Sequence, residues 1–419
     1  MTQLIETPTE PARQEPEVLF KEARQRRRRR WLFGGIAMVA LTAGVIAAVV
    51  ISSAMTAVRP PANGAPTATT SPAPLAAERD LVWAGSASRA VGSSRNATQL
   101  VLGDAVSGTV RRIGSPILLG CGGCAIVRAG NSLFVGEADG IYRLDRPRYR
   151  ATKIANGEIV FPATVPGRLF VASGSPAEPQ GDNVHLITTT GKDLGGPWPT
   201  PQGYWIASPP RATTEGIVVQ KVIAPISPSA LPAASPTLAI WNPMTGSIGH
   251  VFDLGASLID TTTVDGHTTV AWLRELRGHC FYPGEDCQLV LTDLTTGLDR
   301  VIAPPGGLGF IGGGAFSPDG KTLAAFTLVH SNLTNDTMQL ALIDVGTGQV
   351  SPVSKSTGQF GEPYGFATWS PSGQSVFFGG VGQIRTSFQE LRIGAYQIGA
   401  SSATALPFPV NYSAVAVNH

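Results

Sequence analysis

Charge is scarce in this chain: 14% of its 419 residues are Asp, Glu, Lys or Arg, for a formal net charge of +2. Cysteine is scarcer still, with four residues, too few for a disulfide-built miniprotein. Long apolar runs are almost missing, and one segment alone could span a bilayer, which excludes a polytopic transporter. The usual catalytic signatures are absent as well. There is no GxSxG elbow, no HExxH, and no phosphate- or dinucleotide-binding glycine loop. The six His show no ligand spacing, so neither a metal nor an organic cofactor is expected. What the chain has in excess is Gly (49) and Pro (33), about a fifth of all residues, which argues against a helical protein. With 43% hydrophobic residues and a mean hydropathy of +0.11 there is ample material for a core, so disorder is excluded too.

The charge is unevenly placed. Residues 1–30 hold eight Lys/Arg against five Asp/Glu, whereas residues 54–419 hold 23 basic and 24 acidic side chains. The larger part is thus near neutral, and no nucleic-acid groove is expected. Arg26–Arg30 are five consecutive arginines, and Trp31–Ile51 follow with no charge at all. As a helix those twenty-one residues would measure roughly 31 Å, the thickness of the hydrocarbon core. Cationic flanks stay cytoplasmic, so the reading is a single transmembrane helix over 31–53 with everything after it extracytoplasmic. A cleaved secretory signal is the competing reading, since Ser52-Ser53-Ala54 offers small residues. Residues 54–78 are rich in Ala, Pro and Thr and read as a semi-extended tether.

From residue 79 to 419 one pattern returns: an alternating strand, an Asp, Asn or Thr, then a Gly-containing turn. Anchored on Asp104, Asp145, Thr188, Asn242, Asp293, Asp344 and Gln397, its spacings are 41, 43, 54, 51, 51 and 53 residues. A period of that size without helix signals predicts a seven-bladed β-propeller, all-β, with four strands per blade. A preceding hairpin pattern is clearest at 314–326 (GAFSPDGKTLAAF) and 366–378 (FATWSPSGQSVFF). Its Asp-Gly and Ser-Gly turns suit the short a–b connection of a blade. Residues 79–85 read as strand b of the first blade, which leaves that blade without a strand a. The alternating residues Ala414–Val417 at the other end of the chain are expected to supply it and remove the exposed edges.

The motif FSPDGKTLA at 316–324, with the weaker WSPSGQSVF at 369–377, resembles the repeat of TolB-type and WD40-like propellers. The chain has no Trp-Asp dipeptide, and an anchor stands where TolB proteins carry an α/β domain. The resemblance implies a protein-interaction platform at the bacterial envelope.

The b–c connections are long by sequence, at 173–183, 224–236, 277–287, 330–337 and 379–389, so the elaboration is expected on one face of the ring, as a binding face or as unconstrained drift. On that face Trp198, Tyr204 and Trp205 form the densest aromatic cluster and are the candidate binding residues, the alternative being packing between blades. Cys121 and Cys124 form CGGC, and Cys280 and Cys287 bracket HCFYPGEDC. Two local disulfides suit an exported domain; a redox motif is the sharper alternative for CGGC, but it would need a helix N-terminus that the flanking strands do not offer. Asp265, Asp319 and Asp344 read as turn residues. No catalytic residue and no metal ligand is assigned. The functional expectation is a binding or scaffold module for an envelope protein or a cell-wall glycan. The alternative is a propeller enzyme of glycosidase, lyase or lactonase type with an axial site, and a sensor signalling through the basic tail is a third reading.

Overall fold

In a computed structural model of the chain, the described residues run from 80 to 418, with gaps. The gaps fall at 87–97, 105–108, 118–125, 131, 138–139, 146–148, 174–181, 222–236, 276–286, 305–308, 331–336, 357, 360–366, 382–391 and 410–414. The basic tail, the expected transmembrane segment and the tether lie outside the described residues. Among the described residues no helix is long and apolar enough to cross a membrane. All the strands fall in one compact unit, Ser71–His419.

The architecture is an all-β propeller. The first three strands are β1 (Asp80–Ser86), β2 (Thr98–Asp104) and β3 (Val110–Ile117). Six blades then follow, each built from four strands consecutive in sequence. The second sheet holds β4 (Ile126–Ala129), β5 (Ser132–Glu137), β6 (Gly140–Asp145) and β7 (Arg150–Ala155). The third holds β8 (Ile159–Pro162), β9 (Arg168–Ser173), β10 (Asn183–Thr188) and β11 (Asp193–Pro199). The fourth holds β12 (Tyr204–Ile206), β13 (Ile217–Lys221), β14 (Thr237–Trp241) and β15 (Ile248–Leu254). The fifth holds β16 (Ala256–Val264), β17 (His267–Glu275), β18 (Cys287–Asp293) and β19 (Leu298–Ile302). The sixth holds β20 (Phe310–Phe316), β21 (Thr322–His330), β22 (Thr337–Asp344) and β23 (Val350–Pro352), with the short β24 (Gly358–Gln359) also on β22. The seventh holds β25 (Ala367–Trp369), β26 (Ser375–Val381), β27 (Arg392–Gln397) and β28 (Thr404–Pro409).

The last strand, β29 (Val415–Asn418), returns to the beginning and pairs antiparallel with β1, Leu81 opposite Val417. The first sheet therefore has the order β29-β1-β2-β3. The structure shows six blades of consecutive strands where the sequence predicted seven; the remaining strands form this composite sheet, and the strand that closes it lies one residue later than the sequence suggested.

Both faces of a blade are covered by neighbours, so its middle strands are apolar on both sides. Val270 and Trp272 on β17 pack with Val218, Ile240 and Phe252 of the fourth sheet. Their alternates Ala271 and Leu273 pack with Phe310, Leu323 and Ile343 of the sixth. The outermost strands face water, and the first four residues of β7 and of β19 are exposed.

The recurring anchors of the sequence are turn-formers. The carboxylates or amide oxygens of Asn242, Asp293 and Asp344 accept bonds from the backbone N–H two or three residues on, at 2.7–3.2 Å. A left-handed glycine then re-enters the strand: Gly246, Gly297 and Gly348 have φ of 72°, 69° and 76°.

Candidate functional site

The first strand of each blade has one edge bonded to its own sheet and one edge turned toward the axis, where its N–H and C=O groups need other partners. On β12 the N–H of Ala207, just beyond the strand, bonds the Val218 carbonyl within the sheet at 3.0 Å, so the Ile206 N–H points the other way. It donates to Oδ2 of Asp182 at 2.9 Å. Asp182 stands one residue before β10 in the preceding blade, and its own N–H donates to Thr200 Oγ1 at 3.0 Å. The Thr200 hydroxyl in turn donates to the Tyr204 carbonyl at 2.9 Å. Asp182 is 4% exposed, and that burial raises its pKa against the lowering effect of the Ile206 N–H.

The same device recurs two blades on. The Phe316 N–H donates to Asp260 Oδ2 at 2.7 Å, from the last residue of β20 to the middle of β16. The other oxygen of Asp260 accepts from Nε of Arg211. Arg211 comes from the fourth blade, so one buried carboxylate ties together three consecutive blades. Carbonyls are capped too: Trp369 Nε1 donates to the Ala315 carbonyl at 2.8 Å, and Thr261 Oγ1 to the Ala212 carbonyl at 3.1 Å.

Arg211 reaches this position because the a–b connection of the fourth blade is long, from Ala207 to Gly216. The expectation that all elaboration lies on the b–c face is corrected here. The chain spends ten residues between β12 and β13, on the other face, to carry a guanidinium into the fifth blade. The long b–c loops themselves lie outside the described residues.

Of the three aromatic candidates, Trp198 and Tyr204 pack against the cluster of Phe161, Ala172, Val184, Ile206, Val219 and Trp241 between the third and fourth sheets. Lys221 Nζ stands 5.9 Å from the centroid of the Tyr204 ring. Trp205 alternates to the opposite face of β12, beside Gln220 in the register. Its Nε1 is buried and has no hydrogen-bond partner among the described residues. Sequence brings all three into one segment; the strand alternation then parts Trp205 from the other two.

Cys287, the first residue of β18, is 3% exposed and disulfide-bonded. Cys121, Cys124 and Cys280 lie outside the described residues, and so do the pairings expected for them. No group of three or more His, Cys, Asp or Glu that could hold a metal is present among the described residues. Asp265 and Asp319 occupy turns as expected, and Asp344 closes β22 directly before one. Asp265 has a left-handed φ of 50°. The Ser317 hydroxyl and the Lys321 N–H hold the Asp319 carboxyl below its usual range. For Asp344 it is the N–H and hydroxyl of Thr347 that do so. Asp182, Asp260 and Arg211 were missed by sequence reasoning, because each acts on a residue 24 to 56 positions away with no motif to mark it.

No family model matches the chain, and no curated protein matches it either. Solved structures do. Lignostilbene dioxygenase of Pseudomonas brassicacearum superposes with a TM-score of 0.51 at 11% identity, over 82% of this chain and 92% of that one. The periplasmic gluconolactonase of Pseudomonas aeruginosa gives 0.48 at 16% identity, over 81% and 99%. A structure assigned to TolB from Agrobacterium tumefaciens gives 0.37 at 13%, over 79% and 89%. At these identities the likeness is one of fold, a β-propeller.

Proposed function

We propose that this chain is a membrane-tethered, extracytoplasmic β-propeller that works on a small polar molecule at the axial edge of its fourth blade, by acid–base chemistry of the hydrolase, lyase or lactonase kind. The observation that carries the reading is Asp182: a carboxyl buried at the axial edge of β12, with its pKa raised by that burial. A carboxyl that holds its proton more tightly than usual is better placed to give and take one than a fully solvated carboxylate. Trp205, next to Ile206 in the chain, carries a buried indole N–H with no partner among the described residues, a donor for a ligand oxygen in this reading. Asp182 also caps the Ile206 N–H, a role compatible with proton exchange at the same carboxyl.

The tether and its orientation are supported by the uncharged run Trp31–Ile51 behind Arg26–Arg30. The test of the chemistry is hydrolysis of a sugar lactone, followed as base uptake at constant pH, by the full chain and by its Asp182→Asn variant. Turnover above the spontaneous rate that falls at least a hundredfold in the variant is expected. Equal rates with and without the protein, or in both proteins, would overturn the assignment.

A second reading is a binding or scaffold module for an envelope protein or a cell-wall glycan. It is supported by the part-exposed aromatic pair Trp198 and Tyr204 at the junction of the third and fourth sheets. Crosslinked capture from membranes that disappears on changing Trp198, Tyr204 and Trp205 to Ala favours it; capture unchanged by those substitutions counts against it.

A further inference from the structure

The turns at one end of the ring are not electrically uniform. In the second and third blades Arg143, Arg150, Arg168 and Lys192 stand on or beside the turns that join strands a to b and c to d. Arg150, Arg168 and Lys192 are exposed. Three contacts make these turns one continuous surface. Arg143 Nη1 donates to the Thr189 carbonyl at 3.4 Å, from the second blade to the c–d turn of the third. The Thr189 N–H donates to the Gly167 carbonyl at 3.0 Å, joining that turn to the a–b turn before Arg168. Gly191 lies against the backbone of Ile154 on β7, so close that a Cβ on it would stand 2.3 Å from the Ile154 carbonyl oxygen.

The described carboxylates on the same turns are engaged locally. Asp145 accepts from Ser132 and Arg143, and Asp193 from the Gly195 N–H. The corresponding turns of the fifth and sixth blades carry Asp265, Asp293, Asp319 and Asp344 against Lys321 and Arg300, whose guanidinium donates to the Val345 and Gly346 carbonyls, while Asp299 is paired with Arg274. This end of the propeller is therefore positive over the second and third blades and negative over the fifth and sixth.

The position of the chain's entry gives the asymmetry a direction. Asp80, the first residue of β1, pairs with Asp104, whose N–H bonds the Thr109 carbonyl across the c–d turn of the first sheet. The polypeptide thus enters the propeller at the end that bears the charged turns, and β3 packs beside β7 of the basic blade. We infer that the basic turns of the second and third blades dock on a membrane surface of anionic lipid headgroups, so that the ring leans on that side with its acidic turns lifted away. This rests on the tethered reading above, which supplies the membrane. Each Lys or Arg near an anionic leaflet adds about 1 kcal/mol of attraction, roughly fivefold in occupancy, and the effect fades within a Debye length of about 8 Å at physiological salt.

The test uses the full chain in nanodiscs of phosphatidylcholine alone or mixed with phosphatidylglycerol, with backbone amide exchange read at residues 143–153, 163–168 and 188–193. Exchange several-fold slower at these turns in the anionic discs is expected, with no change at 293–297 and 344–349. The protection should vanish at high salt and in a variant carrying Arg150→Glu, Arg168→Glu and Lys192→Glu. These residues are exposed and outside the core, so that variant is expected to keep the thermal midpoint of the parent. Equal exchange in both lipids, or protection on the acidic turns, would overturn the docking surface. Co-elution with the neutral discs reads the anchor independently. A chain that leaves the neutral discs refutes the tether, while its turn exchange with anionic discs still decides the docking.

Discussion

The Asp260 carboxylate accepts the Phe316 N–H at 2.7 Å, from the blade that follows its own. Its second oxygen is taken by Arg211 from the blade that precedes it. One side chain thereby fixes the axial edges of three neighbours, and it does so at a place where main-chain groups have no strand to pair with. Salt bridges on a protein surface contribute little, but this carboxylate is 7% exposed, and removing it would strand both a buried N–H and a guanidinium.

Asp260→Ala is therefore expected to lower stability by about 3 kcal/mol, and Asp260→Asn by less, since an amide oxygen still accepts from Phe316. Urea denaturation of the two variants checks the order. A neutral effect of Asp260→Ala would show that the three blades hold together without it.

Asp182 gives a pH dependence with a definite sign. Its folded pKa lies above the unfolded value of 3.8, so the folded state binds the proton more tightly. The stability this contributes is whole below that unfolded value and is lost as the pH rises through the folded pKa. Asp182→Asn keeps an acceptor for Ile206 and removes the titration. The thermal midpoint of the variant should gain on that of the parent as the pH is raised from acid to neutral, and a constant difference between the two curves would contradict the assignment.

Two glycines in the left-handed region separate strain from collision. A Cβ on Gly297, with φ 69°, meets nothing within 4 Å, so Gly297→Ala should cost about 1 kcal/mol, the conformational penalty alone. At Gly320, with φ 68°, the Cβ would approach Val264 Cγ2 to 2.3 Å. Gly320→Ala should cost clearly more than Gly297→Ala, because the a–b turn of the sixth blade lies directly on the fifth. Thermal melts of the pair measure the difference.

Removing residues 415–419 deletes β29 and opens one edge of β1. The shortened chain is expected to melt at a lower temperature and to associate through the freed edge, visible as a concentration-dependent rise in sedimentation. A monomer of unchanged midpoint would mean that the closing strand adds nothing.

The sequence alone determined the repeating unit, because its marks are local. An Asp or Asn that bonds its own backbone two or three residues on, and a glycine that tolerates positive φ, leave the same trace in every copy, as at Asp293 with Gly297 and Asp344 with Gly348. The return of residues near 415 to pair with β1 was legible for the same reason: an alternating strand was left over at one end and a strand was wanting at the other. What only the tertiary structure decided is which side chains face the axis. Asp182 and Asp260 look like any other acidic residue until the ring brings the free edge of the next blade's first strand against them. That edge exists only once the sheets have assembled, since an N–H acquires a need for a distant carboxylate only when its own sheet has already bonded the opposite edge.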